Sequence, residues 1–283
     1  MLCGTLAMLS GCSALRIAYG TAPDLVYWWL DGYVDFTNDQ TPRVREAVKQ
    51  WFAWHRRTQL PDYAALLARA QVEITADTTP TRVCEWQGEI IKRAHVAFDR
   101  IAPATAELML TSTAQQLQHL ERRYLKYNDK FREEYLQGDP RKRADATLKR
   151  AMDRIESLYG DLDDSQVAFV AEALARSPFD PEMWLEEREA RQQLALQMAH
   201  RLGSEGASKE QAQVALRAYV EQLERSPRPD YRRYSEKLAA FNCNFGARLH
   251  NITRPDQRRF AMRKLDGWTG DLRALAAMAD QAR

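Results

Sequence analysis

The chain has 283 residues, 41 basic against 39 acidic side chains, and a formal net charge of +2. A near-neutral balance gives no global drive toward nucleic acid. With 45% hydrophobic and 28% charged residues, the composition excludes a disordered chain and matches a packed fold.

In chain order, the first signal is Leu9-Ser10-Gly11-Cys12 behind an apolar run from Leu2. The run is far shorter than the roughly 20 residues needed to span a bilayer. It resembles the signal that a bacterial lipoprotein peptidase cleaves, which predicts a signal peptide over 1–11 and lipidation of Cys12. Residues 12–22 read as a lipidated tether, and 23–283 as a single all-helical domain. Next comes the densest aromatic stretch, Tyr27-Trp-Trp-Leu-Asp-Gly-Tyr-Val-Asp-Phe36 and Trp51-Phe-Ala-Trp-His-Arg56, which holds four of the seven tryptophans. Two readings stay open for it. Its rings form a core nucleus, or Trp28, Trp29, Tyr33, Trp51, Trp54 and His55, with Arg43 and Arg45, form an aromatic and basic binding surface.

Beyond that stretch the apolar spacing is helical throughout, as in Val83, Trp86, Ile90, Ala94, Ala97, Ile101 or Tyr234, Leu238, Phe241, Phe245, Leu249, Ile252. No sustained period-two alternation occurs, so the fold class is all-α. Breaks at Pro42, Pro61, Pro80, Pro103, Pro140, Pro178/Pro181, Pro227/Pro229 and Pro255 divide the chain into about ten helices, expected to stack as an irregular elongated bundle. Four helix starts read Ser/Thr/Asp-x-x-Gln: Thr37 to Gln40, Ser112 to Gln115, Asp163 to Gln166 and Ser208 to Gln211. Such a spacing lets the first side chain and the glutamine satisfy each other's backbone amides. It also loosely resembles the Leu-Thr-x-x-Gln motifs of small periplasmic stress chaperones.

Catalytic and metal-ligand spacing is missing: there is no His-Glu-x-x-His, Cys-x-x-Cys, phosphate loop or Gly-x-Ser-x-Gly. The expectation is a protein without cofactor or metal, and not an enzyme. With Cys3 in the signal and Cys12 lipidated, Cys84 and Cys243 remain. An exported location permits a disulfide between them, and two separate buried thiols are the alternative.

The aromatic run, with Gln40-Thr-Pro-Arg-Val-Arg45 and Trp51-Phe-Ala-Trp-His-Arg56, resembles a family of proteobacterial lipoproteins known as a domain of unknown function. The resemblance implies an exported, lipid-anchored helical protein and carries no activity or catalytic residue. With Ser13 behind the cysteine, the expectation is an outer-membrane lipoprotein facing the periplasm. It would bind an envelope protein or peptidoglycan, with a periplasmic chaperone or envelope-stress sensor as the alternative reading.

Overall fold

A computed structural model describes residues 14–281, all of whose regular structure is helical. Leu9–Cys12, and with them the lipidation site, lie outside the described residues. Eleven α-helices are described: α1 (Ala14–Val34), α2 (Gln40–Trp54), α3 (Leu60–Glu73), α4 (Pro80–Leu110), α5 (Ala114–Tyr135), α6 (Pro140–Tyr159), α7 (Asp164–Ala175), α8 (Pro181–Ser204), α9 (Lys209–Glu224), α10 (Pro229–Asn251) and α11 (Pro255–Gln281). Of the stretch read as a tether, residues 14–22 are described. Residues 14–22 are the first turns of α1, tied to the body by an Arg16–Asp271 ion pair at 3.2 Å and a Tyr19–His55 hydrogen bond at 2.8 Å.

Start chemistry explains most boundaries. Pro80, Pro140 and Pro181 occupy first turns behind the capping side chains of Thr79, Asp139 and Asp180, where a missing amide hydrogen costs nothing. Two prolines break this rule. Pro103, expected to end a helix, sits inside the 31-residue α4, and Pro23 sits inside α1. An interior proline costs about 3 kcal/mol. On either side of Pro103, the fully buried Ala102 and Ala106 pack against Met198, Leu202, Ala212 and Leu216. Burying four such side chains at roughly 1–3 kcal/mol each outweighs the lost bond. Between α2 and α3 the chain never leaves helix: His55–Gln59 widen to a π turn, with the Leu60 amide donating to the His55 carbonyl, which accommodates Pro61 one residue later.

Two interlocked glutamine pairs organise the helix hairpins. Where α2 begins, Gln40 accepts from the Thr37 amide (3.0 Å) and donates to the Thr111 carbonyl at the end of α4 (3.0 Å). Where α5 begins, Gln116 accepts from the Thr113 amide (3.0 Å) and donates to the Asp35 carbonyl just past α1 (2.9 Å). The two side-chain amides also bond each other, the Gln116 amide donating to Gln40 at 2.6 Å. The same arrangement recurs with Gln166 and Gln257. Gln166 donates to the Ile252 carbonyl (2.9 Å), Gln257 donates to the Asp161 carbonyl (2.8 Å), and the pair bond each other at 2.8 Å in both directions. All four glutamines are buried. Each therefore caps its own helix and stitches it to the end of a neighbouring hairpin.

The boxes at Thr37, Asp163 and Ser208 stand where the spacing puts them. That expected at Ser112 lies one residue later, because Thr113 and Gln116 carry it while the Ser112 hydroxyl donates back to the Leu108 carbonyl. Truncating Gln166 or Gln257 to alanine strands two backbone partners and is expected to cost about 1.5 kcal/mol. The double variant should lose less than the sum, since the shared amide contact disappears once. Urea midpoints of the three proteins test this.

Packing sets the layers. α3 lies along α11, α4 along α9 and α10, α5 along α8, and α1 against α2 and α5. Cys84 in α4 and Cys243 in α10 are disulfide-bonded, their Cα atoms 5.4 Å apart. Close approach of the two helices is possible because Gly246 faces Val83: a Cβ there would meet its methyl at 3.3 Å. At the end of α6, Gly160 takes φ of 75°, a left-handed conformation open to glycine, and lies over the Phe260 ring.

Candidate functional site

The aromatic stretch divides between the two readings. Trp51, Trp54 and His55 belong to packing. The Trp51 indole donates to the Ala97 carbonyl (2.9 Å) and its ring stacks on His55 at 4.6 Å. His55 also meets Tyr19 and Tyr63, and Trp54 lies 5.9 Å from the Arg100 guanidinium. Burial holds the His55 imidazolium down to about 4 and pushes the Tyr19 hydroxyl up to about 12, so both groups are neutral at pH 7.

Tyr33 stacks on Tyr127 at 5.2 Å, with Arg123 over both rings. Burial, followed by the hydrogen bond with Tyr127, raises Tyr33 to about 12. Arg45 lies 3.7 Å over the Tyr27 ring and 5.1 Å from that of Trp28, and pairs with Asp24 at 3.6 Å. Trp28 and Trp29 are different: they are 60% and 58% exposed, beside Leu25 at 60% and Ile17 at 62%. These four residues share the outward side of α1, and Asp24, held by Arg45, is a charged side chain standing clear on that side. Helical spacing explains the grouping, since residues three and four apart lie one above the other.

The opposite side of α1 lines a cavity of about 790 Å³. Val26, Leu30 and Val34 form its roof, Val44 and Trp51 of α2 one wall, and Phe98 and Ile101 of α4 the other. Gln40 and Thr111, members of the first glutamine pair, close one end. Charge is confined to Arg43, Glu107 and Lys209. Lys209 is bonded to Glu107, whereas Arg43 is exposed and has no carboxylate partner among the described residues. Volume and lining fall within the ordinary range for small-molecule sites. An apolar chain lying in the cavity would be withdrawn from water along its buried side, and an anionic end group at the open mouth would meet the Arg43 guanidinium.

Of the residues singled out in the sequence, Trp51 and Arg43 line this cavity, Trp28 and Trp29 stand on the outside of its roof, and Trp54, His55, Tyr33 and Arg45 brace the surrounding helices. Lys209 and the α4 wall carry no local signal; the two-sided pattern of α1, with positions 26, 30 and 34 against 25, 28 and 29, is the signal that locates the roof. Among the described residues no helix is long and apolar enough to cross a membrane. A family model described as a family of unknown function (DUF6279) matches residues 32–232. Searches among curated proteins and solved structures give no match.

Proposed function

Since the chain belongs to this family of unknown function, we propose from its own geometry that it is a lipid-anchored envelope protein that rests α1 on the bilayer and receives an apolar chain in the cavity behind that helix. The two-sidedness of α1 carries the reading: Leu25, Trp28 and Trp29 face out, while Val26, Leu30 and Val34 face the cavity. Lipidation of Cys12 would place the acyl chains two residues ahead of Ala14. Each buried methylene adds about 0.8 kcal/mol of membrane affinity, and a second membrane contact makes such an anchor stable. Exposed tryptophans beside few charges suit the headgroup level. A disulfide between Cys84 and Cys243 is at home in an oxidising compartment, which supports a body facing the periplasm from the outer membrane. The role is binding rather than catalysis, with the anionic end of a single-chain amphiphile held at Arg43.

The test uses the full chain carrying Cys12→Ser, so that no covalent lipid interferes. Cis-parinaric acid, a fluorescent fatty acid, is expected to bind at about one per chain, and Ala104→Trp, which fills the cavity, to weaken it at least about tenfold with the fold retained. Absence of saturable binding in the parent, or equal binding by the filled variant, would overturn the cavity assignment. A native Cys12 protein that carries no acyl mass would overturn the anchor separately.

A further inference from the structure

A second cavity, of about 1210 Å³, opens between α5, α6, α7, α8 and α10. Its lining holds five cations, Lys130, Arg143, Arg150, Arg154 and Arg188, against two carboxylates, Glu134 and Asp145. None of the five makes an ion pair among the described residues: Arg150 donates to the Glu134 carbonyl (3.4 Å) and the Thr147 hydroxyl (3.2 Å), both neutral. Arg143, Arg150 and Arg188 are half-buried. Half-buried Arg93, Arg258 and Arg191 are neutralised, by Asp62 and Glu89, by Asp77 and by Glu187, whereas Arg56, Arg123 and Arg232 are half-buried without an ion pair, each in a different element. Withdrawing a guanidinium from water without a counter-charge is unfavourable, and here three share one concavity.

The wall beneath them is aromatic. Phe131 stacks between Tyr135 (4.5 Å) and Trp184 (4.6 Å), with Phe179 against Tyr135. Arg150 lies 4.2 Å over Tyr135, Arg188 lies 5.5 Å over Trp184, and Lys130 lies 5.4 Å over Tyr127. Arg188, lying over its ring, keeps its N–H edge free for two parallel bonds to one phosphate or carboxylate group, while Arg150, each of whose terminal nitrogens gives one bond to a neutral oxygen, keeps the second hydrogen on each. We propose that this cavity binds a small organic anion carrying two or more phosphate or carboxylate groups on a ring. Two or more charges are needed to offset the excess of cations, and a ring body suits an aromatic wall. Phosphate and carboxylate meet a guanidinium with the same forked geometry, so the shared chemistry is a ring-borne multivalent anion.

Isothermal titration of the full chain with fructose 1,6-bisphosphate and with benzene-1,3,5-tricarboxylate separates the two sources, with inorganic phosphate as reference. One ring anion is expected to saturate at a Kd below about 100 μM and to weaken with salt, while inorganic phosphate does not saturate there. Arg150→Gln with Arg188→Gln should weaken it at least about tenfold. Quenching of Trp184, absent in Trp184→Phe, reports occupancy of this cavity rather than of the first. Should the double variant not fold, exposed Arg154→Gln gives the same comparison at several-fold amplitude. No binding of either ring anion, equal binding of inorganic phosphate, or indifference to these substitutions would overturn the proposal, and parinaric acid binding would be untouched in every case.

Discussion

Removing the Cys84–Cys243 disulfide, by a reductant or by alanine at both positions, should lower the stability of the protein by about 5 kcal/mol. The bond closes a loop of 159 residues, and the chain-entropy model assigns a closure of that length about 5 kcal/mol. A protein of ordinary stability holds about 5–15 kcal/mol in all, so the reduced form would keep little reserve. Packing adds to the entropy argument. Cys243 is 2% exposed within the α4–α10 contact, next to the Gly246–Val83 approach, so alanine leaves a small void there as well. Cys84, by contrast, is exposed, which gives a reductant its point of attack. Urea unfolding with and without a phosphine reductant, beside the double alanine variant, measures the loss. An unchanged midpoint would mean that the denatured chain is already constrained across these positions. Because α4 carries Phe98 and Ile101 of the apolar cavity, fatty acid affinity should fall along with stability in the reduced protein.

How far this arrangement can be read from the chain depends on whether a feature is local. Apolar spacing and proline-led caps are local, and the all-helical architecture follows from them. Pro103 misleads because the force that keeps α4 continuous comes from α8 and α9, about a hundred residues downstream. The box at Thr113 was displaced by one residue since Ser112, Thr113, Gln115 and Gln116 offer two equivalent registers. Geometry at the end of α4 chooses between them. The fourth glutamine, Gln257, escapes the pattern altogether: it answers the backbone amide of Arg254 (2.9 Å), and arginine has no capping oxygen. Trp28 and Trp51 look alike in sequence, yet one is outside and the other packed, since only their partners on α2 and α4 distinguish them. The basic cavity is the least local feature of all. Its cations come from α5, α6 and α8, each an unremarkable solvated residue in its own segment.

Acidification supplies the second large effect, acting through His55. Its folded value is about 4 against about 6.5 in an unfolded chain. Between those values the unfolded state takes up a proton that the folded state refuses, so stability rises with pH across the window and is lost as pH falls through it. From pH 7.5 to pH 5 the loss should be about 2 kcal/mol from this residue. His250 acts in the same sense. Burial lowers it, and its ring is committed at both nitrogens, donating to the Ala76 carbonyl (2.7 Å) and accepting from the Tyr159 hydroxyl (2.9 Å). The lowered carboxylates Glu73, Glu89 and Asp163 lose their contribution mainly below pH 5, which keeps the window clean. Thermal melts at steps from pH 7.5 to 5 should therefore slope downward in the parent and more shallowly in His55→Phe, a variant that keeps the stack on Trp51. Parallel slopes would show that His55 is not the group being titrated. The consequence for the cavity is directional. His55 holds Tyr19, and with it the N-terminal turns of α1, while the other end of that helix stays bound by Gln116 to the Asp35 carbonyl. Between pH 7.5 and 5 the proton goes to states in which this contact is open, so acidification favours release of the N-terminal turns of α1 while the far end of the helix stays bound.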